Sequence, residues 1–308
     1  ENEQLTTNNG HTKKVNCTFF VLGWIAERLP NLVPEIRSRG HEIASHGNNQ
    51  NLCNRQSHSD LKQELIDSKK LLEDITGSKV FGFRAPNFSV HENVLNATAD
   101  AGYLYDSSYN SFSLHGRYGK ISLKGSIKNG IAHKLSNDFY ELPISNLSIK
   151  NPLSLELPAF SSERNVKKSR VSKSFVLPFG GGGYFRLIPN RLFQRGIRKI
   201  LKKDEAYIFY MHPWEIDSDQ PVVKKASAIS KFRHYSNLTE SQNRILSKQQ
   251  SLETISKVTI LPLGRGWWLS CADSGLTIPS PIDFRVGIEL TMGNCGASGM
   301  KSRHLSLI

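Results

Sequence analysis

Long apolar runs are missing from this 308-residue chain: none approaches the roughly 18–20 residues that a membrane-spanning helix requires. Cysteine is scarce as well. The four present, Cys17, Cys53, Cys271 and Cys295, lie far apart and form no CxxC pair. That excludes a disulfide scaffold and a cysteine-ligated structural zinc site. The stretch Glu1 to Val15 is polar, without the apolar segment of a signal peptide. Acids are outnumbered, 27 Asp and Glu against 40 Lys and Arg, which leaves a formal charge of +13. Such an excess implies a solvated basic surface, or attraction to a polyanion or an anionic membrane face. No zinc finger, helix-turn-helix or aromatic RNA-binding signature accompanies it, so nucleic acid is not an expected partner. What is present suffices for a core: 38% of residues are hydrophobic and 22% charged, too apolar a mixture for a disordered chain. No internal repeat is visible.

From Cys17 to Met211 short apolar runs alternate with amphipathic helical stretches. Thr18-Phe-Phe-Val-Leu22 reads as a buried strand, and a helix from Asn31 to Arg39 ends at Gly40, suited to a left-handed cap. His41 to Ser45 is a second strand. Ser57 and Asp60 form a capping box that opens a helix through Leu61, Leu65, Leu72 and Ile75, and Gly77 closes it. Phe81 to Arg84 and Tyr103 to Tyr105 are extended, with a helix from Glu92 to Ala101 between them. This β-then-α order implies parallel strands joined by helical crossovers. In that layout functional residues gather at the carboxyl ends of the strands. His46, Arg84, Asp106 and His212 each follow or end such a strand, which points to a common mouth. Phe88, Tyr103 and Tyr105 read as core.

Several segments, in order, carry a resemblance. They are Thr18-Phe-Phe-Val-Leu-Gly-Trp24, Gly40-His-Glu-Ile-Ala-Ser-His-Gly47, Phe83-Arg-Ala-Pro86, Tyr105-Asp-Ser-Ser108 and Tyr210-Met-His-Pro-Trp-Glu-Ile-Asp217. Together they resemble the polysaccharide deacetylases of carbohydrate esterase family 4, with their NodB-type homology domain. Gly181-Gly-Gly-Tyr-Phe-Arg186 and Phe232-Arg-His-Tyr-Ser-Asn-Leu238 are similar to the C-terminal extension of the exopolysaccharide, exosortase-associated branch. The resemblance covers about residues 15–262.

It implies an α/β fold, a distorted (β/α) barrel with a divalent metal, zinc, at its mouth. There the metal polarises an acetamide carbonyl and lowers the pKa of its bound water. An Asp takes the water's proton and a His protonates the departing amine. Carried over by position, His46 is a metal ligand, His212 the proton donor, Asp106 the acid that steadies it, and Arg84 the partner of the base. Sugar contacts are implied at Pro86, Tyr184 and Trp214. The implied partner is an N-acetylated polysaccharide. The glycines at 180–183 carry no Gly-Lys-Ser/Thr and so make no nucleotide loop; in the resemblance they let backbone approach the sugar groove.

Two departures stand out. The second metal histidine belongs four residues after His46, where this chain has Gln50, a weaker ligand through a neutral amide oxygen; His58 lies eight residues further on. The family's first strand, with its metal and base Asp, belongs before Thr18, where only Glu1 to Cys17 stand. The expectation is therefore an N-terminally truncated barrel lacking its first strand, with weakened metal binding and impaired activity. Residues 1–215 form the barrel, 216–262 the extension, and 263–308 an unrelated, disordered tail that stays off the barrel. The function expected is metal-dependent de-N-acetylation of a glycan in exopolysaccharide biosynthesis, in a bacterium, cytoplasmic or membrane-peripheral rather than secreted. The alternatives are an inactive glycan-binding relative or a C–N amide hydrolase of the same superfamily.

Overall fold

A computed structural model describes residues 16–112, 118–136, 138–150, 174–223, 225–241, 243–244 and 286–290. The first unit alternates as expected: β1 (Cys17–Val21), α1 (Gly23–Arg28), α2 (Leu32–Ser38), β2 (Glu42–Ser45) and α3 (His58–Thr76). It continues with β3 (Gly82–Phe83), α4 (Glu92–Asp100) and β4 (Tyr105–Asp106). Local chemistry sets the helix ends. Ser57 Oγ accepts the Asp60 amide and donates to the Asp60 carboxylate at 2.7 Å, so α3 opens on the capping pair. Gly77 closes α3 at φ +61°, a left-handed turn that a side chain would oppose.

A short meander follows, of β5 (Ile127–Asn129), β6 (Ala132–Ser136) and β7 (Phe139–Glu141), then the hairpin β8 (Leu147–Lys150) and β9 (Ser174–Leu177). The chain returns through α5 (Gly182–Leu187) and α6 (Asn190–Asp204) to β10 (Phe209–Met211), then α7 (Ala228–Tyr235) and β11 (Val286–Leu290). The main sheet runs β10-β11-β1-β2-β3-β4-β7-β6-β5, parallel from β10 to β7 and antiparallel beyond. The fold is mixed α/β built on a parallel sheet. Among the described residues its two end strands, β10 and β5, do not pair with each other, so the sheet is not closed into a barrel there.

Strand alternation sends side chains to two faces. Phe19, Val21, Ile43 and Phe83 turn toward the helices and meet Ile25, Val33, Ile36, Leu65, Leu72 and Val94. Phe20, Ala44 and Tyr105 turn the other way, with Phe81, Tyr140 and Leu142 packed on them. A separate core joins α5 and α6 to β10 through Phe179, Phe185, Phe193, Ile197, Ile200 and Phe209. Tyr103 and Phe88 are buried, as their reading as core residues required. No described helix is long and apolar enough to cross a membrane.

One segment of the tail expected to stay off the barrel falls within the described residues. Residues Val286–Leu290 lie between β1 and β10, parallel to both, with Phe19 beside Ile288 and Phe209 beside Val286. The reason is the backbone. β1 is buried over four of its five residues, and an unpaired edge there would leave N–H and C=O groups with neither water nor partner. The rest of 263–308 falls outside the described residues. Proline at the centre of β11 should show what this strand holds. Ile288→Pro removes one ladder N–H and leaves a buried carbonyl unmatched, at about 1–3 kcal/mol. The urea midpoint of the full chain should fall; an unchanged midpoint would mean that β11 does not tie β1 to β10.

Candidate functional site

The site begins where strands end. His46 follows β2, Arg84 follows β3, Asp106 ends β4 and His212 follows β10, so the parallel sheet delivers all four to its carboxyl-end rim. Arg84 is the hub. It is 1% exposed; its Nε donates to the Ser107 carbonyl at 2.8 Å and its Nη2 to Ser107 Oγ at 2.8 Å. Its guanidinium carbon lies 4.1 Å from the Phe20 ring centre and 5.8 Å from those of Phe88 and Tyr210, so one cation touches the ends of β1, β3 and β10. The Arg84 carbonyl accepts from His46 Nδ1 at 2.7 Å. A carbonyl can only accept, so Nδ1 carries the proton and Nε2 the lone pair.

Just past Arg84 the backbone is strained. Asn87 and Phe88 both sit at φ +54°, a region bulky residues avoid at about 1–2 kcal/mol. Packing holds Phe88 there, with its ring edge-on to Tyr118 at 5.2 Å and to Tyr210 at 4.9 Å.

Asp106 and Glu141 are both fully buried and stand side by side in the parallel register of β4 and β7. Two carboxyls so placed cannot both ionise. Burial, the Asp106 charge and a hydrogen bond to Asp106 push Glu141 well above the ordinary carboxylate range. Burial also raises Asp106, against the pull of hydrogen bonds from Glu141 and Ser108 and of the Arg84 charge. The pair therefore shares one proton and carries one negative charge. Asp106 accepts Ser108 N–H at 2.9 Å and Ser108 O–H at 2.7 Å, and Glu141 Oε1 accepts Tyr109 N–H at 3.0 Å.

The acid set against His212 is Glu215, in place of the expected Asp106. Glu215 Oε2 accepts the His212 backbone N–H at 2.9 Å and lies 3.5 Å from His212 Nδ1. Glu215 in turn pairs with Arg186 at 3.4 Å, both side chains being buried. Arg186 Nη1 donates to the carbonyls of His234 and Ser236, and Nη2 to that of Arg233. Burial lowers the Arg186 pKa while the Glu215 charge resists the shift. One guanidinium thus joins α5, the His212 turn and the end of α7. Sequence reading missed Glu215, Arg186 and Glu141. Glu215 sits three residues after His212, at capping spacing, and Glu141 is the one acid of an otherwise apolar strand; those were the available signals.

Comparison with known proteins now bears on this rim. The polysaccharide deacetylase family matches residues 11–105, and a domain of unknown function, DUF3473, matches residues 162–259. The chain carries a polysaccharide deacetylase domain. A peptidoglycan-N-acetylglucosamine deacetylase of Bacillus cereus is 31% identical over 90 residues, 29% of this chain and 42% of that protein. A peptidoglycan deacetylase-like protein of Gibberella zeae is 33% identical over 92 residues, 30% of this chain and 27% of that protein. The chain thus spans less than half the length of either relative. Among solved structures, a carbohydrate esterase family 4 pseudoenzyme from Bacillus anthracis is 21% identical, covering 29% of this chain and 32% of that one, with a TM-score of 0.28. That structural likeness is too slight to bear on the fold.

Polysaccharide deacetylases are hydrolases of acetylated glycans and generally use a divalent metal. The described residues do not fit one. Among them no three His, Cys, Asp or Glu side chains gather where an ion could be held. His46 has the right tautomer, but Gln50 is exposed and His58 pairs with Asp100 at 3.2 Å on the surface. Asp106 is already taken by Ser108 and Glu141.

The sugar contacts expected of the deacetylase domain and its extension are also largely engaged within the chain. Pro86 is buried, because the turn after β3 packs it under the strained Asn87–Phe88 pair. Tyr184 is half-buried and rests edge-on against Phe112 at 5.6 Å. Trp214 stacks near-parallel with His212 at 5.4 Å and His234 at 4.1 Å, and Arg186 lies over its ring at 5.3 Å. The glycine run serves close packing. A Cβ on Gly182 would stand 2.2 Å from the Glu215 carboxylate, and one on Gly180 2.6 Å from the Ser145 carbonyl.

Two outcomes are expected. Glu141 and Asp106 bind protons more tightly folded than unfolded, so their contribution is complete below the ordinary carboxylate value near 4.5 and is lost as pH rises toward the folded pKa. One such proton gives a slope of up to about 1.4 kcal/mol per pH unit. Glu141→Gln keeps the Tyr109 contact and can donate to Asp106 without titrating. Urea unfolding over a pH series should show a flatter profile above pH 4.5 and a more stable neutral form; an unaltered profile would refute the shared proton. Glu215→Ala strands the buried Arg186 and should cost about 3–5 kcal/mol, toward the low end because three carbonyls still hold the guanidinium. A loss below 1 kcal/mol would show that the pair carries little (about the value of an exposed bridge).

Proposed function

We propose that this chain acts in de-N-acetylation of a polysaccharide, in exopolysaccharide biosynthesis in a bacterium, and that by itself it is impaired. The observation that carries the reading is the convergence of four residues on one rim of the parallel sheet: His46 and Arg84 inside the polysaccharide deacetylase match, Asp106 directly after it and His212 inside the DUF3473 match. Hydrolysis of an N-acetyl group breaks the carbonyl carbon–nitrogen bond, with water supplying the hydroxyl of acetate and a proton reaching the amine. His212 is the group suited to that proton. It is about one quarter exposed, and the Glu215 carboxylate stands 3.5 Å from its Nδ1. Arg84 holds the rim's backbone in place and sets its charge against the Asp106–Glu141 pair.

Impairment follows from unequal retention. A positioned acid contributes roughly 10²–10⁴ in rate, and so does a base; an electrophile at the carbonyl contributes further. Among the described residues the first is held and the third has one imidazole, so the chain's own turnover is low. The measurement is acetate release from N-acetylglucosamine oligomers, with oligomer binding followed by calorimetry. Binding without acetate is expected, along with less than one zinc per chain in equilibrium dialysis and tighter zinc in Gln50→His. Acetate release at a steady rate, lost in His212→Ala, would confirm the proton donor and overturn the impairment. Neither binding nor release would overturn the glycan reading itself.

A further inference from the structure

The extension beyond the His212 turn presents a surface that the site does not use. Between Asp219 and Glu240 the sequence holds Lys224, Lys225, Lys231 and Arg233 and not one Asp or Glu. Apolar side chains stand out of the same stretch: Val222 is 62% exposed, Val223 42%, Ile229 74% and Phe232 63%. Helix α7 buries none of its residues, and Ile229 and Phe232, three apart, share one of its faces.

The stretch is nonetheless firmly built. The Val223 amide donates to Tyr235 Oη at 2.9 Å, Tyr235 donates back to the Pro221 carbonyl at 3.1 Å, and His234 Nε2 bonds Gln220 Oε1 at 2.8 Å. Ser227 caps α7 by accepting the Ser230 amide at 3.2 Å. Arg186 then anchors the helix's last carbonyls to the body of the protein. Solvent-facing phenylalanine and isoleucine on an anchored helix, in a stretch of sequence whose charged residues are all basic, form a surface matched to a partner that is negative outside and apolar beneath.

We propose that Val222–Arg233 docks this chain onto the surface of a bilayer containing anionic phospholipids, with Ile229 and Phe232 entering the headgroup–acyl boundary. Lys225, Lys231 and Arg233 face the phosphates. Charge complementarity selects this occupant. A second copy of the same basic stretch would bring like charges together, whereas an anionic leaflet attracts each Lys or Arg near its surface and admits the apolar side chains. Eight helical residues are too few to span a membrane, so the contact is peripheral.

Co-sedimentation of the full chain with vesicles tests this, using phosphatidylcholine alone and phosphatidylcholine with 30% phosphatidylglycerol (roughly the anionic fraction that gives a strong surface field). Binding is expected only to the anionic vesicles. Ile229→Ser with Phe232→Ser should lower the partition coefficient about tenfold or more, as should Lys225→Glu with Lys231→Glu. Both pairs are solvent-facing or nearly so, and circular dichroism checks that they fold. Binding that survives the serine pair but vanishes in high salt would mean charge alone, and would overturn the docking. So would equal binding to neutral vesicles, no binding at all, or a dimer in light scattering that Phe232→Ser dissolves.

Discussion

The Arg84 guanidinium is 1% exposed, and a cation so placed persists only where neighbours replace its lost hydration. Much of the rim can be read as that replacement. The Ser107 carbonyl and hydroxyl take its N–H groups, and three aromatic rings lie around it. Its counter-charge is Asp106, which the β4–β7 register also places against Glu141. The pair then resolves into one proton and one charge. Ser108 completes the circuit, accepting the Ala85 amide at 2.7 Å while donating to Asp106. The strained turn at Asn87–Phe88 belongs to the same arrangement, since it sets the Phe88 ring beside Arg84.

Arg186 repeats the device on the far side of β10. It too is buried; Glu215 is the acid paired with it, its Nη1 and Nη2 also donate to backbone carbonyls at the end of α7, and its Nε has no hydrogen-bond partner among the described residues. The two guanidiniums differ in consequence. Arg84 fixes positions within the residues matched by the deacetylase family, whereas Arg186, the His212 turn and α7 all fall within the DUF3473 match. The ring stack from His212 through Trp214 to His234 follows the same path. Whatever holds α7 in place therefore acts on the orientation of His212.

Much of this was legible in sequence, and the reason is local. A buried strand followed by a capped helix announces itself through period, cap and glycine, and the residue after the strand is then at the rim. His46, Arg84, Asp106 and His212 were found that way. Partnership was less legible. Asp106 was read as the companion of His212, because nothing in Tyr105-Asp-Ser-Ser108 discloses that β7 sets Glu141 beside it. Pro86 was read as a sugar contact, yet the left-handed turn that buries it depends on Tyr118 and Tyr210, both distant in the chain. β11 was the least legible. A strand of five residues carries little signal of its own, and its place between β1 and β10 is decided by the edges awaiting it.

The chemistry left to this rim follows from how its groups are already committed. A base must have a lone pair to spare, yet the Asp106 carboxylate accepts from Ser108 twice and shares a proton with Glu141. Drawing it toward a substrate would leave Arg84 without its counter-charge inside the protein, which buried ion pairs tolerate poorly. Asp106 is thus a structural anion, by the same geometry that makes Arg84 a structural cation. His212 is in the opposite position. The acid beside it, Glu215, is paired from behind with Arg186, and its ring is about one quarter open to solvent. Of the four residues on the rim, it is the one that is not buried, and so the one a substrate could reach without disturbing a core charge.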